Sequence, residues 1–254
     1  MRRAAAAALA LVALAGCGGT KHAAAAPHLH VEGPYGTGAD QVWLVRPAGP
    51  PKSVVVFLHG VGDATEDTPL NHERWLLHLA ENGSAVVYPR YESAPTYEAQ
   101  PKADEHALKG VALGFKTLGL PKVPAVIIGY SRGGPLALDL AALTPVLGLQ
   151  PKGVLAVFPS RRFPDEPNLD LRVLNPNERI WIMVGDRDKV VGTYGAAELL
   201  KRLGAVGFPQ RNIRLMAVVS RDGFTATHLS VLSDSAIAQT VFWGTADSLL
   251  TRVR

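Results

Sequence analysis

The chain has a single cysteine, Cys17, in 254 residues, which excludes an intrachain disulfide. It also lacks an apolar run long enough to cross a bilayer. The best candidate, at the very start, is about twelve residues, which as a helix reaches ~18 Å against a hydrocarbon core of ~30 Å. Neither charge sign dominates: Lys and Arg total 26 against 22 Asp and Glu. Arg2 and Arg3 fall in a segment expected to be removed, leaving about 24 basic residues against 22 acidic ones. So even a balance argues against a nucleic-acid partner. Beyond an alanine-rich leader there is no low-complexity tract, internal repeat or dividing linker. What remains, 47% hydrophobic and 19% charged, suits one soluble globular domain with ample material for a core.

The opening MRRAAAAALALVALAGC has a basic start, an apolar stretch and small residues, the layout of a secretory signal peptide. Its end, LAGC at Leu14 to Cys17, resembles the bacterial lipobox. That resemblance implies diacylglyceration of the Cys17 thiol and cleavage just before it. Residues 1–16 are then a lipoprotein signal peptide, 17–39 a lipid-anchored tether, and 40–254 the folded domain. The protein is expected on the outer face of a bacterial membrane, held there by its two acyl chains. The other reading is a plain cleaved signal peptide in which Cys17 is incidental.

From there the chain alternates short apolar runs with longer amphipathic ones. QVWLVRP (41–47), SVVVFLHG (53–60), SAVVYPRY (84–91), PAVIIGYS (124–131), KGVLAVFPS (152–160), RIWIMVGDRD (179–188) and NIRLMAVVS (212–220) read as strands. Helices are expected over 72–83, 103–118, 132–143, near 193–203, and from 229 to 250. Strands apolar along their whole length are buried on both faces. The pattern therefore predicts an α/β fold, a mostly parallel sheet covered by helices.

In such a sheet, functional groups gather beyond the carboxyl ends of the strands. Three signals fall there. GYSRGG, Gly129 to Gly134, contains G-x-S-x-G: Gly129 and Gly133 give Ser131 room on a sharp strand-to-helix turn. The helix that follows points free N–H groups at the serine and favours negative charge beside it. VGDRDKVVG (184–192) offers two carboxylates, Asp186 and Asp188, after the nucleophile. DGFTATHLS (222–230) places His228 downstream of both, before the last helix. The other histidines lie in the tether, on helices or, for His59, beside a glycine at a strand end, where it is expected to shape a loop. No metal cluster and no phosphate loop competes: GYSRGG is not followed by lysine, and no cofactor is expected.

Over roughly residues 40 to 250, the order Ser131, then Asp186 or Asp188, then His228 resembles the α/β-hydrolase superfamily, notably its dienelactone-hydrolase-like and bacterial esterase or lipase-like members. The resemblance implies a single domain without a large cap, since only about twenty residues (160–179) lie where a cap is often inserted. It also favours Asp188 as the acid, because Gly185 and Asp188 match G-x-x-D, with Asp186 in reserve. His59-Gly60 matches the family's H-G. The backbone N–H groups of Val61 and Arg132 are then the implied oxyanion hole, and Gly62 is a further candidate for it. The implied activity is cleavage of carboxylic esters through an acyl-enzyme. Acyl transfer, thioester or peptide hydrolysis use the same groups, and a non-catalytic envelope binding lipoprotein is the alternative of another class. Tyr130, Phe158, Val190 and Phe224 flank the strand ends and are the candidate acyl-pocket lining.

Overall fold

The computed structural model describes residues 29–61, 68–92, 102–119, 122–163 and 166–254. The leader, Cys17 and Gly62 lie outside these ranges. The strands are β1 (Val31–Tyr35), β2 (Val42–Val45), β3 (Ser53–Leu58), β4 (Ser84–Pro89), β5 (Ala125–Tyr130), β6 (Pro151–Val157), β7 (Arg179–Gly185) and β8 (Ile213–Val218). They form one sheet in the order β1-β2-β4-β3-β5-β6-β7-β8. From β4 to β8 all neighbours are parallel, and β1 and β2 add an antiparallel edge.

Side chains of a strand alternate between faces, so one apolar run feeds two cores. Val55 and Phe57 of β3 enter a core with Trp75, Leu76 and Leu79 of helix α1 (Glu73–Glu81). Val54, Val56 and Leu58 enter the opposite core, under α2 (Ala103–Leu118), α3 (Gly133–Leu143) and α4 (Tyr194–Ala205). Gly110 and Gly114, one turn apart, let α2 sit directly on β4: a Cβ at either would lie 2.8 Å from Pro89 Cβ or 2.7 Å from Val87 Cγ1.

Three expectations need correction. Residues 31–35, assigned to the tether, are a strand, because Val31 and Glu32 pair with Val45 and Leu44 across the edge of β2. The run at 212–220 is not buried on both faces: β8 is an edge strand, with Leu215 52% exposed. The closing helix over 229–250 is broken. A 3₁₀ turn (His228–Leu232) leads to α5 (Ala236–Ala238), a π turn (Gln239–Trp243) and α6 (Gly244–Val253). The break follows from Ser233-Asp234-Ser235, where Ser235 accepts a hydrogen bond from the Ala238 amide and starts a new helix.

Candidate active site

Ser131 follows β5 directly and adopts a left-handed backbone, φ +53°. An L-residue pays of order 1 kcal/mol or more for this, so the surroundings must impose it. They do: the Ser131 amide donates to Val157 O (3.0 Å), and Ser131 O accepts from the Gly134 and Ser160 amides (2.9 and 3.0 Å). The flanking glycines are steric necessities. A Cβ on Gly129 would fall 1.8 Å from Gly133 O, and one on Gly133 would fall 2.3 Å from Leu58 O.

The three sequence-predicted residues meet at this turn. His228 Nε2 is 2.9 Å from Ser131 Oγ, and its Nδ1 is 2.8 Å from Asp188 Oδ2. Asp188 Oδ1 accepts from the Val190 and Val191 amides, at 2.9 and 3.1 Å. Burial alone would raise the Asp188 carboxyl, but the His228 hydrogen bond and those two amides outweigh it and hold it below the usual carboxylate range. Asp188 is thus an anion facing Nδ1, which favours the tautomer with its proton there and a free lone pair on Nε2. His228 is held from the other side by Tyr130, whose hydroxyl donates to His228 O at 3.1 Å. Asp186 points elsewhere: its Oδ1 accepts from the Ser220 hydroxyl and amide at 2.6 and 3.1 Å, and it does not reach His228.

His59 takes the loop-shaping part expected of it. It is fully buried, with its ring nitrogens 2.5 and 2.6 Å from Gly60 O and Arg90 O. Its own carbonyl accepts from the Gly133 amide and the Tyr91 hydroxyl, joining β3 to the Ser131 turn. A Cβ on Gly60 would lie 3.2 Å from Ser131 Cβ, so the backbone entering Val61 passes within contact of the serine. On the other side of Ser131, the Ser131 and Gly133 amides are committed to Val157 O and His59 O, and the Arg132 amide lies between them.

The serine lies in an open cleft of about 1160 Å³. Tyr130, Val61, Leu232 and Val191 line it, and Val190, Tyr194 and Leu229 stand at its mouth, 64–70% exposed. Of the expected lining residues, Tyr130 and Val190 belong to the cleft and Phe158 and Phe224 do not. Phe158 has a left-handed backbone, φ +48°, and packs edge-on against Phe242. Phe224 lies in the same core, its ring 6.3 Å from that of Phe242. Phe163, Arg161 and Tyr194 line the cleft without any motif to announce them.

A second feature had no signature in the sequence. The Arg132 side chain is wholly buried behind the turn. Its Nη1 lies 2.7 Å from Glu92 Oε1 and its Nη2 3.4 Å from Glu166 Oε1, with the Phe163 ring 4.2 Å from the guanidinium carbon. Arg162 extends the cluster to Asp139 (3.3 Å), and Arg202 also pairs with Asp139. Asp104, in the first turn of α2, faces this group with both oxygens lacking a hydrogen-bond partner among the described residues. Burial first, then Asp139 and Glu166, raise its carboxyl to about 7. Three guanidiniums then balance three carboxylates while Asp104 stays protonated below about pH 7.

The raised Asp104 has a consequence for stability. The unfolded chain loses this proton near 3.8, whereas the folded chain keeps it to about 7. Stability is therefore complete below the lower value and falls as pH rises through that window, by up to ~1.4 kcal/mol per pH unit. Asp104→Asn is expected to raise the melting temperature by several degrees at about pH 8 and to change it little at about pH 4. Thermal melts across that range check it; equal shifts at both ends would contradict it.

No family model matches the sequence, and no curated protein matches it. Solved structures do. The chain is similar to esterase B from Lactobacillus rhamnosis, in a structure with a tributyrin phosphonate inhibitor (17% identity, 89% of this chain and 86% of that one, TM-score 0.61). It is also similar to a thermostable esterase from Pseudomonas putida (17% identity, 91% and 84%, TM-score 0.60). A third is an α/β serine hydrolase without a lid from Xanthomonas campestris (15% identity, 84% and 88%, TM-score 0.55). The chain has the α/β-hydrolase fold, as a single domain with a mostly parallel eight-stranded sheet and flanking helices.

Proposed function

We propose that the protein is a serine hydrolase of carboxylic esters, with Ser131 as nucleophile, His228 as general base and acid, and Asp188 as the group that orients the imidazole. The observation that carries this is the continuous chain of short contacts from Ser131 Oγ through His228 to Asp188, opening onto a cleft. Ser131 Oγ attacks the acyl carbon while His228 Nε2 takes its proton. The oxyanion forms beside the Val61 and Arg132 amides, the proposed hole, where each donor is worth about 10²–10³ in rate. The tetrahedral adduct collapses, His228 gives its proton to the departing alkoxide, and an acyl-serine remains. Water, deprotonated by His228, then attacks the acyl-serine, releasing the carboxylic acid and restoring Ser131. The esterases among the structural neighbours support an ester as substrate. Turnover of p-nitrophenyl esters of graded acyl length, with product analysis against thioesters, amides and acyl acceptors, tests the reading; no turnover by the folded protein would refute it.

The choice of acid has its own test. Asp188→Asn removes the anion facing Nδ1 and is expected to lower kcat by about 10³–10⁴. Asp186→Asn, which keeps an Oδ1 for Ser220 and gives up only its charge beside Arg187, is expected to leave kcat within a few-fold. Steady-state kinetics on the two folded variants decides, and the reverse ranking would make Asp186 the acid.

For the amino-terminal part we propose the lipoprotein reading: cleavage before Cys17, acylation there, and a hydrolase domain held outside a bacterial membrane. LAGC at 14–17 supports it. Metabolic fatty-acid labelling is expected to disappear in Cys17→Ser.

A further inference from the structure

The nearly even charge of the chain conceals a concentration of basic groups at one end of the sheet. The six parallel strands β3 to β8 start at one end of the sheet, and basic residues crowd that end. Lys52 precedes β3, Lys122 stands three residues before β5, Lys152 is the second residue of β6, Arg179 opens β7 and Arg214 is the second residue of β8. Lys52, Lys122, Lys152 and Arg214 are exposed. Helix α6 ends at the same level, since Arg254 Nη2 lies 3.0 Å from both Ser53 Oγ and Ser84 Oγ, the first residues of β3 and β4. Its neighbour Arg252 stacks with Arg214 over Trp181.

Acidic groups at this end are few or silent. Glu81, at the end of α1, is exposed. Asp170 is bound to Arg172, and Glu32 to Arg46. Glu178 is buried, which pushes its carboxyl to about 8, so it carries no charge at neutral pH. Asp247 of α6 lies near Arg254 and is paired with His78 at 2.8 Å. Asp188 and Asp186 after β7 and Asp222 and Asp234 after β8 lie at the opposite end, and Glu92, Asp139 and Glu166 lie in the buried cluster.

The amino-terminal segment enters the domain at this same basic end. β1 is antiparallel to β2 and β2 to β4, so β1 runs in the same direction as the parallel strands. The chain upstream of Val31 therefore comes from the side where those strands begin. Thirteen residues separate Cys17 from Val31, a span of at most about 50 Å. A lipid on Cys17 would tether the domain by way of its basic end.

We propose that the end of the sheet where the parallel strands begin is a docking surface for an anionic phospholipid bilayer, turning the Ser131 cleft away from the membrane. Charge complementarity and the point of entry of the anchor-bearing segment both select this partner. The orientation relative to an anchor rests on the lipoprotein reading; the affinity of the face for anionic lipid does not.

The test uses the full chain carrying Cys17→Ser, so that no acyl group at that position contributes. In the same background, Lys52→Glu and Lys122→Glu are combined with Arg211→Glu, Arg211 standing at this end two residues before β8. All three side chains are exposed and make no hydrogen bond or ion pair among the described residues. Co-sedimentation is measured with phosphatidylcholine vesicles with and without about 30 mol% phosphatidylglycerol, at about 0.1 M and 0.5 M salt. The unreversed chain is expected to gain affinity with phosphatidylglycerol and lose it with salt. The triple reversal is expected to lose about tenfold or more on the anionic vesicles alone. Circular dichroism and fluorophosphonate labelling of Ser131 should not change.

Equal binding of the two proteins to phosphatidylglycerol vesicles overturns the proposal. So does charge-dependent binding to heparin or DNA without binding to the vesicles, which would make the face a polyanion site of another class. Acylation of Cys17 in the unmodified chain is read separately by mass spectrometry. Its absence, with vesicle binding intact, would refute the anchor and leave the face standing.

Discussion

Ser131→Ala is expected to lower ester turnover by about 10⁴-fold or more and to abolish labelling by a fluorophosphonate, while the protein stays folded. The size of the loss follows from there being no second nucleophile in place among the described residues. Ser160, which also lines the cleft, donates its hydroxyl to Arg161 O at 2.8 Å. Folding should survive because alanine occupies the same left-handed backbone at the same cost as serine, and the hydroxyl removed has His228 as its partner. A useful companion is Ser131→Gly, which relieves the backbone strain and is expected to be slightly more stable yet equally inactive. Stopped-time labelling with gel fluorescence, alongside p-nitrophenyl ester kinetics and a thermal melt, separates these effects. Labelling of folded Ser131→Ala would refute the assignment.

The largest expected effect on stability lies one residue away. Arg132→Met leaves Glu92 buried and without its guanidinium, and is expected to cost about 3–5 kcal/mol. At roughly 2–4 °C per kcal/mol for a domain this size, the melting temperature should fall by roughly 10 °C. Arg132→Lys should not rescue it, because one ammonium cannot reproduce a planar fork placed between two carboxylates under the Phe163 ring. Pairing Arg132→Met with Glu92→Gln removes both charges. The double variant is expected to be less destabilised than the sum of the single ones, and a denaturant double-mutant cycle measures this coupling. Activity adds an independent readout. The Arg132 amide is in the proposed oxyanion hole, so loosening that residue should lower kcat more than it raises KM. An additive cycle with unchanged kcat would show that the cluster is decorative.

How far the site was legible from residues alone depended on the range of the interaction involved. β3 to β7 could be found because each is an uninterrupted apolar run, and α2 matched its expected bounds because its apolar spacing and Gly119 stop are local. Ser131 could be found because the turn demands glycines on both sides. Asp188 was distinguishable from Asp186 only through a resemblance; in space the difference is that one faces His228 and the other Ser220. The edge strand β1 escaped notice because its short sequence, VEGPY, lacks an apolar run and gains its place by pairing with β2. Phe158 and Phe224 flank strand ends as Tyr130 does, but both rings pack on Phe242, a contact across the fold that no local stretch specifies.

The sequence by itself determined most of the elements, their order and the chemical identity of the three groups proposed to react. Those depend on backbone preferences and apolar periods that neighbouring residues set among themselves. Only the tertiary structure decided that Ser131 and His228, ninety-seven positions apart, lie 2.9 Å from each other. It also decided that Arg132 is buried among carboxylates from separate loops, and that a balanced chain gathers basic residues at one end of its sheet. Parallel strands must return to the same starting edge before running again, so residues far apart in the chain are stacked end by end. Burial and electrostatics then act on that stacking, which no local stretch of sequence contains.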